Sequence, residues 1–199
     1  VAIVSDGSAV LGLGNIGPLA AIPVMEGKGM LFKRFAGING FPICISTQKT
    51  DELIQVIRNI APVFGGINLE DISSPRCFEV EESLQDLGIP VFHDDQHGTA
   101  IVVLAALMNY CRLTSRRLED LRIVINGAGA AGIAIARYLG RRDFTATNQK
   151  IVREIVMCDT MGIIHRNRLG LQGIKYDLLA YTNPRNLSGT LEHALVGMD

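Results

Sequence analysis

Short apolar runs alternate with segments of helical periodicity along the whole chain. Parallel strands are buried on both faces and read as brief apolar runs, and a crossover connection, usually a helix, must join each strand to the next. The alternation therefore predicts an α/β fold built on parallel sheets. The predicted strands cover residues 2–5, 42–45, 66–69, 90–92, 122–125 and 155–158. Functional groups are expected at the carboxyl ends of these strands.

Two long helices are predicted between the strands. Thr50 is expected to cap the first, because Asp51 and Glu52 suit the first turn of a helix and the apolar residues after them recur at helical spacing. These apolar residues are Leu53, Ile54, Ile57 and Ile60. The second helix is predicted over residues 99–110. It is apolar on nearly every side, so we expect it to be buried between layers.

Composition excludes several classes of partner. The net charge is -1 and basic residues form no stripe with aromatic residues between them, so we expect no nucleic-acid partner. The longest apolar stretch, residues 100–108, is under half of the ~20 residues that a membrane-spanning helix needs, so we expect no membrane association. The well-separated residues Cys44, Cys77, Cys111 and Cys158 indicate reduced thiols and a cytoplasmic protein.

Four acidic residues follow two predicted strands. Glu70 and Asp71 end one strand, and Asp94 and Asp95 follow the next, so both pairs can meet at one edge of a sheet. Carboxylate oxygens are the ligands that Mg²⁺ and Mn²⁺ prefer. The alternative from the residues alone is that these are solvated acids in loops, where Asp and Glu are most often found.

A glycine-rich turn lies between the strand at 122–125 and a helical segment that starts near residue 133. It consists of Gly127, Ala128, Gly129, Ala130, Ala131 and Gly132. Glycines let the backbone approach a pyrophosphate, and the amino end of the following helix favours its charge. The sequence therefore predicts a dinucleotide site, with a tight packing turn as the alternative.

Asp159 closes the next predicted strand and can accept hydrogen bonds from the adenosine ribose hydroxyls. It lies 27 residues after Gly132, which is further than usual, so a longer loop is expected between them. Because a carboxylate disfavours a ribose phosphate, NAD is the expected cofactor. Arg166 and Arg168 follow closely and leave NADP open.

Several other residues can be interpreted only from the acidic residues and motifs near them. Lys28 alone is a solvated lysine, although a lysine near a metal and partly desolvated can have its pKa lowered towards the range of a base. His93 and His97 flank the aspartates, and we expect them to pack in the core or behind the ligands rather than to bind metal. A second glycine motif, residues 12–17, has no acidic partner and indicates a substrate-side loop or tight packing.

The charged stretch at residues 112–120 is the one marked break in composition, and a new strand and the glycine turn begin directly after it. We therefore place a domain boundary near Thr114. The first lobe covers residues 1–114, and residues 115–199 form the first part of a Rossmann-type dinucleotide-binding domain. The chain opens without methionine in an apolar run, so we expect a fragment of a longer protein.

Taken in order, these segments resemble the malic enzyme family, and their sequences are most similar to those of its shorter bacterial members. The matching segments are residues 5–7, 11–17, 23–28, 68–72, 92–99 and 127–132. The resemblance implies that Glu70, Asp71 and Asp95 bind Mg²⁺ or Mn²⁺, that Lys28 is the general base, and that Asp94 partners Lys28. It also implies a homodimer or higher homo-oligomer that oxidatively decarboxylates L-malate to pyruvate and CO₂ with hydride transfer to NAD(P).

The sequence departs from the family in three places. Ser8 stands where larger relatives carry an arginine that binds a malate carboxylate, although smaller relatives share the serine. The family's proton-donating tyrosine has no counterpart in the chain, and two predicted strands after Thr114 are fewer than the ~6 of a full dinucleotide domain. Two rival functions follow. One is a malolactic enzyme that releases lactate, and the other is a catalytically incomplete piece that only binds metal or nucleotide.

Overall fold

The computed structural model describes residues 1–140 and 151–199. They form two compact units, Val1–Asp95 and Gln96–Asp199. Both units combine parallel strands with helices, which confirms the predicted α/β class. Within the described residues, no helix is long and apolar enough to cross a membrane.

The first unit is built on a parallel sheet of four strands. Strands β1 (Ala2–Ser5), β2 (Phe41–Cys44), β3 (Ile67–Leu69) and β4 (Val91–His93) have the order β2-β1-β3-β4. Each crossover carries a helix: α1 (Gly17–Ala36), α2 (Thr50–Ile60) followed by a short 3-10 turn (Ala61–Val63), and α3 (Arg76–Glu82). The order places β1 and β3 in the centre. The carboxyl ends of all four strands therefore lie along one edge.

Helix α1 packs on the sheet through small and flexible residues. Its buried residues are Ala21, Met25 and Gly29, which lie four residues apart and so share one face. The loop before β2 comes very close to this face. A Cβ added at Gly40 would lie 2.8 Å from Gly29 Cα and 2.7 Å from Ile3 Cδ1. Only glycine at position 40 allows this spacing between helix and sheet.

The start of α2 differs in detail from the prediction. The helix is present and buries Leu53 and Ile57, but its capping position is Lys49, which makes no side-chain capping bond. The prediction that Thr50 caps the helix is therefore wrong, because Thr50 already has helical geometry and the extended residue lies one position earlier. The Thr47 hydroxyl instead accepts the Lys49 backbone N–H at 3.2 Å.

The second unit contains a smaller sheet. Strands β5 (Arg122–Asn126) and β6 (Glu154–Asp159) are parallel, and a short strand β7 (Gly162–Ile163), missed by the sequence analysis, runs antiparallel to β6. The helices described after β4 are α4 (Asp94–Thr114), α5 (Ala130–Gly140), α6 (Ile174–Asp177) and α7 (Leu191–Leu195), with 3-10 turns at Leu118–Asp120 and Leu178–Ala180. The long loop predicted between Gly132 and Asp159 includes residues 141–150, which lie outside the described residues.

Helix α4 begins earlier than predicted and is less buried. Its first residues are Asp94 and Asp95, and its buried residues are Gln96, Ala100 and Cys111. Other apolar positions, such as Ile101 and Val102, are 58% and 67% exposed, so the prediction of a fully buried helix is wrong for this chain. An apolar helix is buried on every side only where other elements pack against each of its faces. The division between the two units falls after Asp95, near the start of α4, whereas the predicted domain boundary falls at its end, near Thr114. The predicted boundary stays a prediction.

Candidate metal centre and dinucleotide turn

The acidic residues lie where two neighbouring parallel strands end. Strands β3 and β4 are paired with Leu69 opposite His93, so the residues that follow them emerge side by side. Glu70 and Asp71 follow β3, and Asp94 and Asp95 open α4 directly after β4. The expected convergence of the two acidic pairs is therefore present, and it follows from the parallel register.

Three of these acids form a compact cluster. Ligand oxygens of Glu70, Asp71 and Asp95 all lie within 4.8 Å of one another. The Asp71 backbone N–H donates to Asp95 Oδ2 at 3.2 Å, and Asn68 Nδ2 donates to Glu70 Oε2 at 2.8 Å. Asp71 has a left-handed backbone, with φ of 54°, which an aspartate tolerates better than most side chains. These contacts hold the Glu70 and Asp95 carboxylates in place.

The electrostatics of the cluster suit a hard divalent cation. Burial, together with the charges of Asp95 and Glu70, raises the pKa of Asp71 to about 7. Burial also raises the pKa of Glu70, although the hydrogen bond from Asn68 and the charge of Lys28 reduce that rise. Crowded, partly buried carboxylates repel one another and bind protons tightly unless a cation neutralises them. An all-oxygen donor set of this kind fits Mg²⁺ or Mn²⁺.

Lys28 projects from α1 onto this cluster. Its Nζ lies 3.0 Å from Glu70 Oε2 and also donates a hydrogen bond to the Asp94 carboxylate. Burial alone would lower the pKa of Lys28, but the hydrogen bond to Asp94 and the charge of Glu70 outweigh it, so the pKa lies above its ordinary value. The direction is opposite to the lowered pKa that a base requires. Lys28 is therefore held as a cation while the carboxylates around it keep their charge.

Arg76 joins the loops that follow β1 and β3, and the sequence analysis did not identify it. Its Nη2 donates to Asp6 Oδ2 at 2.7 Å and to Ser8 Oγ at 3.0 Å, and the Asp6 side chain is fully buried. The neighbouring Ala9 N–H donates to the carbonyl oxygen of Asp71 at 2.9 Å. We call Arg76, Asp6 and Ser8 the Arg76 clamp. The clamp holds the backbone that carries Asp71. The Ser8 hydroxyl takes part as an acceptor for Arg76.

His93 lies beside the cluster, and the first glycine motif precedes α1. His93 is fully buried, its backbone N–H donates to Glu81 Oε1 at 2.9 Å, and its Nδ1 lies 3.8 Å from Asp95 Oδ2. Within the described part of the chain, the candidate ligand cluster contains no histidine. The supporting role expected of His93 and His97 stays a prediction. The glycine motif at 12–17 forms the loop before α1 and ends at its first residue, and Leu13 in the motif is exposed.

The second glycine motif has the geometry of a strand-to-helix turn. Gly127, directly after β5, has φ of 125° and donates its N–H to Cys158 O at 2.9 Å, which ties the turn to β6. A Cβ added at Gly132 would lie 1.9 Å from Gly127 O, so α5 approaches the turn too closely for any side chain there. Ala128, Gly129, Ala130 and Ala131 complete the turn and start α5. This arrangement presents the amino end of a helix at the edge of the sheet.

Asp159 ends β6 next to this turn, and its carboxylate is already paired. Oδ2 accepts hydrogen bonds from Arg168 Nη2 at 2.8 Å and Lys175 Nζ at 2.7 Å, while Oδ1 accepts the Met161 N–H at 2.9 Å. Burial raises the pKa of Asp159, but these three hydrogen bonds outweigh it and hold the pKa far below its ordinary value. Of the two arginines noted in the sequence, Arg168 makes this contact. Lys175 was missed, because it approaches only through the chain path after β7.

Comparison with known proteins identifies similar chains over almost the whole sequence. The profile described as "Malic enzyme, N-terminal domain" matches residues 1–85, and "Malic enzyme, NAD binding domain" matches residues 96–193. A protein named NAD-dependent malic enzyme from Geobacillus stearothermophilus is 53% identical over 200 residues, which is 100% of this chain and 40% of that relative. One named bifunctional malic/malolactic enzyme from Bacillus subtilis (strain 168) is 48% identical, over 100% of this chain and 47% of its own length.

A solved structure agrees. The crystal structure of NAD-dependent malic enzyme from Thermotoga maritima matches with a TM-score of 0.91 at 48% identity, over 100% of this chain and 51% of that one. The chain thus spans about half the length of these three relatives.

Proposed function

The chain belongs to the malic enzyme family, and on that premise we propose that the protein oxidatively decarboxylates L-malate to pyruvate and CO₂, using a divalent cation and a nicotinamide dinucleotide. The observation that carries the proposal is the position of Lys28 Nζ, which contacts both Glu70 of the acidic cluster and Asp94. A base and a metal ligand set in direct contact suit the removal of a proton from a metal-bound hydroxyl.

Glu70, Asp71 and Asp95 would hold Mg²⁺ or Mn²⁺. A bound cation would polarise the C2 oxygen of malate, stabilise the charge left when CO₂ departs, and offset the carboxylate charge that keeps Lys28 protonated. The protein's own contribution is geometric. The Arg76 clamp would hold the backbone that carries Asp71, and the Asn68–Glu70 hydrogen bond and the pairing of β3 with β4 would position the other two carboxylates.

Lys28 would act as the base that takes the C2 hydroxyl proton, and Asp94 would position its ammonium group. The base must be neutral when it acts. Asp94 contacts Lys28 Nζ directly and comes from the first turn of α4, so it can orient Nζ without itself belonging to the three-carboxylate cluster. This divides the four acids into three ligands and one partner of the base.

The glycine turn at 127–132 and Asp159 would bind the dinucleotide that accepts the hydride. Gly127 and Gly132 allow the close backbone approach that a pyrophosphate needs, and α5 begins at that point. We further propose that the protein forms a homodimer or larger homo-oligomer, as the resemblance implies.

Malolactic activity is the second candidate, since the relative from Bacillus subtilis is named bifunctional malic/malolactic enzyme. The two activities share the acidic cluster and the base but differ in product. An assay of the full-length protein with malate and NAD separates them, because pyruvate with reduced cofactor indicates oxidative decarboxylation, whereas lactate without net reduction indicates the malolactic reaction.

The proposal is tested by replacing Lys28 in the full-length protein. Lys28→Ala should lower kcat by about 10²- to 10⁴-fold, the range for loss of a general base, and leave dinucleotide binding unchanged. The matched control is Lys33→Ala on the same helix, whose exposed side chain contacts Asn39 rather than the acidic cluster. Turnover unchanged by Lys28→Ala would rule out Lys28 as the base.

A further inference from the structure

We propose that Asn68, rather than Lys28, is the positioning residue that holds Glu70 as a metal ligand, so that a cation at the acidic cluster stays bound while Lys28 changes its charge. The inference rests on the proposed function, because it concerns a ligand of the same cation. Asn68 would act only through Glu70, as a neighbour of the ligand and not as a ligand itself.

The first supporting observation is that Asn68 lies where an amide is unfavourable. It is in the centre of β3, which is paired on one side with β1 and on the other with β4, and its side chain is fully buried. Its Oδ1 is buried and has no hydrogen-bond partner among the residues that the structure describes. Asparagine is depleted in strands, and a buried acceptor without a donor is destabilising. An apolar residue would suit this strand better, so the amide group must be explained by its other contact.

That contact is with Glu70. Asn68 Nδ2 donates to Glu70 Oε2 at 2.8 Å. Residues two apart on a strand share a face, and the Glu70 N–H donates to Val4 O at 2.9 Å, so the pairing with β1 continues as far as Glu70. Donor and acceptor are therefore carried by one stretch of paired backbone. The short asparagine side chain has few torsions, so its amide is fixed once the strand has formed.

Lys28 contacts the same carboxylate but holds it less firmly. Its Nζ lies 3.0 Å from Glu70 Oε2 and 3.3 Å from Oε1, and it also donates to the Asp94 carboxylate. The ammonium group is thus shared among three oxygens at the end of a long, flexible side chain. The contact is strong only while Lys28 is charged, and the proposed base must be neutral when it acts. Lys28 therefore cannot hold Glu70 throughout the reaction.

A neutral donor suits a ligand of a divalent cation. The Asn68 amide holds the carboxylate without adding a positive charge, whereas an ammonium group at the same place repels the cation. The donation from Asn68 also stays the same when Lys28 loses its proton. Groups that orient metal ligands in this way typically change metal affinity by about 10- to 100-fold when they are removed.

The test is calorimetric titration of the full-length protein with MnCl₂, without malate. Asn68→Leu keeps a similar branched shape without the donor, and should weaken Mn²⁺ binding by about 10- to 100-fold. Lys28→Met should bind Mn²⁺ at least as tightly as the wild type, because it removes a cation and leaves the Asn68–Glu70 hydrogen bond in place. The electron paramagnetic resonance spectrum of bound Mn²⁺, which responds to ligand geometry, should change in Asn68→Leu. If Asn68→Leu does not fold, Asn68→Ala removes the same donor without adding volume.

Ile67→Val is the matched control. Ile67 is the preceding residue of β3, is fully buried, and directs its side chain to the opposite face of the sheet. Loss of a methylene should lower the unfolding temperature and leave both the Mn²⁺ affinity and the spectrum unchanged.

Three outcomes would each overturn the role of Asn68 and leave the proposed function intact. They are wild-type affinity in Asn68→Leu, an equal loss of affinity in Lys28→Met, and an equal loss in Ile67→Val. A wild type that does not bind Mn²⁺ would overturn both the inference and the proposed function.

Discussion

The acidic cluster should bind its cation with a pH dependence set by Asp71. Protons and the cation compete for the same carboxylate oxygens, so metal affinity falls wherever the carboxylates are protonated. Burial and the nearby charges of Asp95 and Glu70 raise the pKa of Asp71 to about 7. A carboxylate with an ordinary pKa would be fully ionised across the neutral range and would give no such dependence.

The size of the effect follows from that pKa. At pH 6 about one Asp71 side chain in eleven is ionised, and at pH 8 about ten in eleven are, so the apparent metal affinity should rise about tenfold between the two. Above pH 8 the affinity should level off. At pH 6, metal binding should release close to one proton, whereas at pH 8 it should release about a tenth of one.

The assay is calorimetric titration of the full-length protein with MnCl₂ at pH 6 and pH 8, repeated in buffers of different ionisation enthalpy to count protons. Asp71→Asn is the diagnostic variant, because it cannot take up the proton and should bind weakly with little pH dependence. Equal wild-type affinities at the two pH values would show that Asp71 does not set the pH dependence. A tenfold slope that persists in Asp71→Asn would do so as well, since the proton would then lie elsewhere.

Two other substitutions test the glycine turn and the Arg76 clamp. Gly132→Ala places a Cβ 1.9 Å from Gly127 O, so dinucleotide binding measured by calorimetry should fall at least about tenfold, while Gly129→Ala, which meets nothing within 4 Å, should bind normally. Arg76→Gln leaves the buried Asp6 carboxylate unpaired and should destabilise the protein by about 3–5 kcal/mol in thermal unfolding. The control Lys49→Gln breaks the exposed ion pair with Glu52 and should leave the unfolding temperature almost unchanged, and similar losses in the two variants would contradict the clamp.

Local pattern and sheet topology account for what the sequence predicted well. The strands were found because parallel strands are short apolar runs, and the meeting of Glu70 and Asp71 with Asp95 followed from the rule that parallel strands end at one edge. The glycine turn was found because strand, glycines and helix follow one another within a few residues. Each of these features depends on neighbours in sequence or on adjacent strands.

The features that were missed depend on distances between segments far apart in sequence. Arg76 reaches Asp6 across 70 residues, and Lys175 reaches Asp159 across 16, along paths that no periodicity reveals. The direction of the pKa shift of Lys28 required its distances to two carboxylates that follow different strands. The start of α4 was placed late because its first residues are polar, although acidic residues suit the positive end of a helix.

The contact between Gly40 and Gly29 links the position of Lys28, the proposed base, to a residue outside the acidic cluster. Lys28 precedes Gly29, so a methyl group at position 40 would lift that part of α1 from the sheet and carry the ammonium group away from Asp94. An ångström is enough to lose a hydrogen bond, whereas a surface helix can shift that far and stay folded. Screening by melting temperature alone would therefore not detect a substitution at position 40 that displaces Lys28.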